Sequence, residues 1–325
     1  MRVQRLGRYA GVLLVLLPIN SAYIAAFASP TIFYMGNVVL HLALGVALAI
    51  MLPWFIRRMP VAGTLFLVAA MAGVFLAVRG NTTPHRWVLQ AHIAMAVLAL
   101  LAGLPYVLRH TGAGFRNAYA ACLALLLVFP AATALYRRSH PDSADRIRNP
   151  TIVPVSMNEE GGGPRSPFFP SSAKTNVGGI IPSNFFMDSE ACGRCHKDIY
   201  QQWKSSMHHF GSFNNQFYRK SVEYMQSVVG TQPSKWCAGC HDHAVFFNGR
   251  FDRPIKEQID TPEAQAGLSC TSCHAITHVN SSMGNASFTV EYPPLHELLS
   301  SKNKLIQDAD YFMTYLNPEP HRAPL

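Results

Sequence analysis

Apolar residues dominate the first 136 positions of the chain in five long runs, separated by short polar or proline-containing breaks. Each run has about 20 residues, the length that a helix needs to cross the roughly 30 Å hydrocarbon core of a bilayer. The runs are residues 9–28, 36–55, 61–78, 87–108 and 118–136. We therefore predict a transmembrane bundle of five helices over residues 1–136.

The pattern changes after Tyr136. Residues 137–187 are rich in proline and glycine and show no periodicity, which predicts an extended linker. The phenylalanines in its second part indicate packing along the following domain. Over residues 188–325, short amphipathic stretches predict helices, and the strongest strand signal is residues 287–292. The predicted helices of this outer domain are residues 198–209, 215–229, 294–304 and 308–316. The predicted fold class is all-α, with a five-helix transmembrane bundle and a small, mostly helical outer domain that has little regular sheet.

The composition supports a membrane protein and excludes a nucleic-acid partner. Charged residues make up 14% of the chain, well below the roughly 25% of a soluble domain. The net charge of +9 arises in residues 1–136, which contain nine arginines and no lysine, aspartate or glutamate. These arginines stand near the ends of apolar runs and form no basic stripe of the kind that binds nucleic acid.

The arginines also predict the orientation of the bundle. Those on one side are Arg2, Arg5, Arg8, Arg57, Arg58, Arg109 and Arg116, and those on the other are Arg79 and Arg86. The positive-inside rule then places the amino terminus in the cytoplasm and the outer domain in the periplasm, with the bundle in the inner (cytoplasmic) membrane. A cleaved signal peptide ending near Ala28 is the alternative for the first run. The outer domain is external under both interpretations.

Six of the seven cysteines fall in three C-x-x-C-H motifs. Two cysteines at this spacing attach the vinyl groups of one porphyrin, and the adjacent histidine binds its iron. A single motif would also fit a zinc half-site or a redox dithiol, but three motifs that all carry the histidine favour haem. The cysteines are Cys192, Cys195, Cys237, Cys240, Cys270 and Cys273, and the proximal histidines are His196, His241 and His274. We predict three covalently bound haem c groups, which we expect to fill the outer domain in place of a large side-chain core.

Three six-coordinate haems need three further iron ligands, and the outer domain offers six other histidines. We favour His208, His278 and His296 as distal ligands. The alternatives are His209, His243 and His321, and Met207, Met225 or Met283 is a further option at one site.

The stretch 166–297 resembles the multihaem cytochrome c superfamily, which includes the tetrahaem cytochrome of ammonia oxidisers, hydroxylamine oxidoreductase and pentahaem nitrite reductase. The resemblance lies in FFPSSAKT, ACGRCHKDIYQQWKSSMHHF, NNQFYRKSVEYM and CTSCHAITHVNSSMG. It implies bis-histidine haems in close pairs, with His208 as a distal ligand. The chain departs from it in lacking a C-x-x-C-K motif and in having fewer haem motifs. Because PEPHR, residues 318–322, leads into further haem motifs in similar proteins, a truncated or split form is an open interpretation.

Two histidines lie inside the apolar half. His41 and His92 are at the same depth in the second and fourth runs, so they are candidates to clamp one haem b between them. The alternative is that both imidazoles bond to helix carbonyls. Arg79 and Arg86, in the outer loop, are candidates to bind haem propionates or a quinone carbonyl.

These features predict a membrane-bound multihaem c-type cytochrome. It would transfer electrons between the quinone pool, or a membrane partner, and periplasmic redox proteins, with quinol oxidation as its reaction. One alternative is an enzyme that reduces a small nitrogen or sulfur oxyanion at a haem with an open position. The other is an anchor and electron-wire subunit of a larger respiratory complex.

Overall fold

The computed structural model describes residues 2–27, 31–141, 146–293, 296, 298 and 301–317. The chain divides into two compact units. The first contains the residues up to Pro141 together with the last described helix, and the second contains the described residues between 146 and 303.

The first unit is built on five long helices. They are α1 (Arg2–Ala26), α2 (Ile32–Arg58), α3 (Pro60–Arg79), α4 (Arg86–His110) and α5 (Ala113–Ser139). All five are long and apolar enough to cross a membrane, which confirms the predicted helical bundle. They extend past the predicted runs because polar residues continue them, as Arg57 and Arg58 do in the last turn of α2, where basic residues are favourable.

The bundle has a core at one end and an apolar surface around it. Buried side chains from α1, α2, α3, α4 and α5 form one cluster, and the Tyr119 hydroxyl donates to the Leu100 carbonyl at 2.6 Å inside it. Many large apolar side chains point outward, including Ile50, Val61 and Val74. An apolar exterior suits helices that are solvated by lipid.

The second unit has short helices and one small sheet. The helices are α6 (Ser189–Gly193), α7 (Lys197–Lys204), α8 (Gln216–Val229), α9 (Thr231–His241), α10 (His243–Phe246) and α11 (Cys270–His274). The strands are β1 (Lys174–Thr175), β2 (Ile276–Val279) and β3 (Phe288–Val290). The sheet order is β1-β3-β2, with β3 parallel to β1 and antiparallel to β2. An all-α class with little regular sheet is thus confirmed.

The predicted elements of this unit are found with shifted bounds. The helix predicted at 198–209 ends at Lys204, and the one at 215–229 is α8. The strand predicted at 287–292 is the three-residue β3, whereas α9 was not predicted. Five of the eleven residues of the helix predicted at 294–304 lie outside the described residues.

Aromatic side chains form the core of the second unit. Phe185, Phe186, Phe246, Phe247 and Phe251 are almost fully buried in one cluster. The expectation that this unit lacks a large side-chain core is therefore wrong, because it packs a phenylalanine core of its own. Phe168, Phe185 and Phe186 come from the segment predicted as a linker, so its second part belongs to the folded unit.

The last described helix, α12 (Lys304–Leu316), groups with the first unit. The Asn81 amide donates to the Tyr315 carbonyl at 3.1 Å, and Asn317 Nδ2 donates to Tyr34 Oη at 3.0 Å. Gly80 has a φ of +80°, and a Cβ there would lie 2.7 Å from the Tyr315 ring. The sequence analysis placed α12 in the outer domain, which ran to residue 325, whereas the structure packs it against the ends of α2 and α3.

Candidate haem-attachment sites

Each of the three C-x-x-C-H motifs forms a helical turn. In the first, the His196 amide donates to the Cys192 carbonyl at 2.9 Å, and the other two end α9 and form α11. In every motif the first cysteine is half-buried and the second is exposed. Residues three and four apart share one face of a helix. Each motif therefore presents two thiols and an imidazole on one side, as porphyrin attachment requires.

The second motif has an oriented histidine. His241 Nδ1 lies 2.6 Å from the Gly211 carbonyl, and its ring stacks on Tyr218 with 4.4 Å between centroids. Because a carbonyl only accepts, Nδ1 must carry the proton, which leaves Nε2 free to bind a metal. The fold thus holds this imidazole in the tautomer that an iron ligand needs.

Asp242, directly after the second motif, is a buried carboxyl that the sequence analysis missed. It accepts hydrogen bonds from Ser212 Oγ and Tyr218 Oη. Burial raises its pKa to about 7, although both hydrogen bonds act in the opposite direction. Asp242 thereby ties the residues around Gly211 and Tyr218 to the second motif. No pattern in the sequence marks this contact, because the partners are 24–30 positions away.

The first and third motifs are in direct contact. The Cys270 amide donates to Ser189 Oγ at 3.2 Å, and Thr271 Oγ1 donates to the Phe185 carbonyl at 2.7 Å. A hydrogen bond to the Cys270 thiol, together with burial, raises the pKa of Cys192. The first cysteines of these two motifs are therefore neighbours.

Trp203 connects α7 to the third motif. Its Nε1 donates to the Leu268 carbonyl at 2.7 Å, and the Leu268 amide donates to the His208 carbonyl at 2.8 Å. The segment 203–208, which has the pattern W-x-x-S-x-H, thus lies against the residues that lead into Cys270. Together with the Gly211 contact, it joins all three motifs into one assembly.

We predict that Trp203→Phe destabilises this assembly without removing a haem site. The variant keeps the aromatic ring but leaves the Leu268 carbonyl without its donor, which costs about 1–3 kcal/mol. The thermal midpoint of the second unit should fall by roughly 2–12 °C. Calorimetry on the full chain in detergent measures this shift. Trp236→Phe is the control because Trp236 is 47% exposed. Equal shifts in the two variants would refute the role of the indole N–H.

The three favoured distal candidates differ in how far the structure buries them. His208 is exposed, and His278 is half-buried on β2. His296 is 6% exposed, and its Nε2 lies 3.0 Å from Asp188 Oδ2 without the geometry of a hydrogen bond. Asp188 precedes the first motif, so His296 lies close to it.

Of the alternative candidates, two are described. His209 Nδ1 lies 3.0 Å from the Lys204 carbonyl, and its ring packs on Trp203. His243 is buried among phenylalanines, with Nε2 2.9 Å from the Gly239 carbonyl, and burial lowers its pKa to about 4. His321 lies outside the described residues.

The bundle brings His41 and His92 together. Their ring centroids are 6.2 Å apart and their planes are inclined by 73°. His92 Nδ1 lies 2.8 Å from the Ala69 carbonyl, and His41 Nδ1 lies 3.4 Å from Ser21 Oγ. Position 73 is a glycine, where a Cβ would be only 3.2 Å from His92 Cε1. Arg79 and Arg86 are exposed and have no ion-pair partner among the described residues.

The donor set fits haem better than a zinc cluster. Within the part of the chain that the structure describes, no three Cys, His, Asp or Glu side chains converge as a metal site. A structural zinc site needs four such ligands. The separate motifs suit one porphyrin each, and the His241–Gly211 bond supplies the orientation that an iron ligand needs.

These sites support a multihaem c-type cytochrome, a class of electron-transfer protein. Residues 191–275, which include all three motifs, match the family model described as Cytochrome c554 and c-prime. That match implies covalently bound haem c. No curated protein and no solved structure matches the chain.

Proposed function

We propose that this protein is a membrane-bound cytochrome with three haem c groups that transfers electrons between the quinone pool and a redox partner outside the cytoplasm. The assembly of three motifs by the Trp203, Ser189 and His241 hydrogen bonds carries the proposal. The same chain has five membrane-length helices. It can therefore connect a lipid-soluble donor with an exported acceptor.

The residues of the second unit have distinct roles in this proposal. The paired cysteines would hold each porphyrin, and His196, His241 and His274 would bind iron. Haem, when bound, supplies reversible one-electron chemistry. The chain fixes the ligands: Gly211 orients His241, and Ser189 keeps the first and third attachment sites adjacent. Neighbouring attachment sites favour electron exchange between their cofactors.

We assign the distal positions to His208, His278 and His296. His296 has the strongest structural support, because its buried Nε2 has no hydrogen bond and lies near the first motif. Buried polar atoms normally have partners, and an iron atom would be one. His208 is three residues before Gly211, which contacts the second motif, and His278 is four residues after His274.

The proposal also includes one haem b between His41 and His92. Two imidazoles that bind one metal from opposite sides, through bonds of about 2 Å, have ring centroids about 6 Å apart. The observed separation is 6.2 Å. The polar neighbours of both Nδ1 atoms leave each Nε2 available. Arg79 and Arg86, which end α3 and begin α4, would pair with propionates or with a quinone carbonyl.

The haem content of the full chain tests this function. We expect a pyridine haemochrome assay on the purified protein to give three haem c and one haem b per chain, and the intact mass to exceed the polypeptide by three haems. The double variant Cys270→Ser, Cys273→Ser should retain two haem c groups, because a serine forms no thioether.

Other results would overturn the proposal. A mass equal to that of the polypeptide alone would exclude covalent haem. A high-spin ferric EPR signal would instead favour the reductase, which needs an iron without a distal ligand. Failure of the isolated chain to oxidise quinol, together with co-purifying cytochromes, would favour the subunit of a larger complex.

A further inference from the structure

The bundle contains a cavity that the proposed electron path does not use. Its volume is about 770 Å³, and it lies between α1, the carboxyl end of α4 and the start of α5. Most of its wall is apolar, formed by residues such as Leu14, Val107 and Phe115. Arg8 and His110 add polar groups at the end of the bundle where α1 begins. An open apolar cleft with a few polar groups is typical of a site for a small amphiphile.

One polar atom at this cavity lacks a partner. Trp54 lines the wall, and its Nε1 is buried without a hydrogen bond among the described residues. A buried donor that lacks an acceptor is costly, so this atom is suited to receive a partner. Gly7 on α1 is the glycine nearest to this ring, and a Cβ there would lie 3.9 Å from Trp54 Cζ2. The residue that carries this unpartnered donor is therefore part of the cavity wall.

The same end of the bundle carries uncompensated positive charge. Residues 1–141 contain no aspartate or glutamate. Arg8 lines the cavity. Arg109 lies in α4 and Arg116 lies in α5, two of the helices that surround it. None of the three has an ion-pair partner among the described residues. Basic pockets between transmembrane helices are suited to the phosphate of an anionic lipid.

We propose that this cavity binds one anionic phospholipid of the adjacent leaflet. An acyl chain occupies the apolar space between α1, α4 and α5, and the phosphate pairs with Arg8. An ester carbonyl accepts from Trp54 Nε1. A neutral quinone would fill the apolar wall but would leave the arginines without a counter-charge.

Lipid binding to the purified full chain tests this site. Delipidated protein in detergent is mixed with dioleoylphosphatidylglycerol, dioleoylphosphatidylcholine or decylubiquinone, and native mass spectrometry measures the bound fraction. We expect phosphatidylglycerol to bind at least about fivefold more tightly than the other two probes, since each basic residue adds to the attraction for an anionic head. Arg8→Gln should remove most of that preference. Gly7→Leu, which fills the cavity, should weaken binding of phosphatidylglycerol by a similar factor.

Matched variants separate this site from general effects. Gly45→Leu makes the same exchange on α2 where nothing lies within 4 Å of the added Cβ, and Arg138→Gln removes an arginine from the last turn of α5, at the other end of the bundle. Both should bind phosphatidylglycerol as the unaltered protein does. Trp54→Phe keeps the ring, so reduced binding in a variant with an unchanged elution profile supports the indole contact. Equal binding of the three probes, or full binding by Arg8→Gln, overturns the proposal.

Discussion

Replacing His92 with leucine is expected to remove the b-type haem completely while all three haem c groups remain. In the proposed site, His41 and His92, whose ring centroids are 6.2 Å apart, would both bind the haem iron. Leucine fills part of the imidazole volume but cannot bind iron, and it is compatible with an apolar bundle. One remaining histidine gives no bis-histidine site, so the haem b bands should be absent from the dithionite-reduced spectrum.

The loss should also stop electron entry from the membrane. In the unaltered protein we expect decylubiquinol to reduce the haem c groups. In His92→Leu we expect the rate of this reduction to fall by at least about 100-fold, to the rate of the slow background reaction. His110→Leu is the control, because His110 is exposed at the opposite end of the bundle, with Nδ1 bonded to the Tyr106 carbonyl. An intact haem b spectrum in His92→Leu would exclude this residue as a ligand.

The second large effect is expected at Gly267. Its φ is +68°, and an added Cβ would lie 2.0 Å from the His209 carbonyl oxygen. A side chain in the left-handed region costs about 1–2 kcal/mol, and forced overpacking adds about 1–3 kcal/mol. The neighbouring bond from the Leu268 amide to the His208 carbonyl would break as well, at about 1 kcal/mol. We expect Gly267→Ala to destabilise the second unit by about 3–6 kcal/mol.

Thermal unfolding followed at the haem Soret band measures this change, because the haem c groups report on the second unit. The midpoint should fall by about 6–24 °C. Gly178→Ala is the matched control: its φ is +71°, but nothing lies within 4 Å of the added Cβ. The control should lose only the backbone part, about 2–8 °C. If the two variants unfold alike, the contact with His209 contributes nothing to stability.

The five long helices could be predicted because lipid leaves few choices. A chain in hydrocarbon must satisfy its backbone polar groups within each segment, so a run of about 20 apolar residues is almost certain to be a helix. The three haem motifs could be predicted equally well, because haem attachment depends on residues three and four apart in sequence. The local spacing therefore defines both the thiol pair and the adjacent histidine.

Long-range packing could not be predicted in the same way. Asp242 contacts Ser212 and Tyr218, which lie 30 and 24 positions away in sequence, and its sequence neighbourhood gives no sign of burial. The sequence analysis predicted no helix over α9, which contains Pro233 in its first turn, where proline is tolerated. His243 is one of the alternative distal candidates, and no sequence pattern shows that the fold buries it among phenylalanines.

The return of α12 to the membrane bundle changes what proteolysis could do to this protein. The second unit is an insertion between α5 and α12, so the chain attaches it to the first unit at both ends. The stretch 146–155 is largely exposed, with Ile152 at 85% and Val155 at 88%, and exposed segments are the ones that proteases cut first. One cut there would not release the second unit, because the chain would still join it to α12. Hydrogen bonds with Tyr34 and Asn81 hold the residues of α12 and Asn317 on the first unit. Release into the surrounding fluid requires a second cut before Lys304.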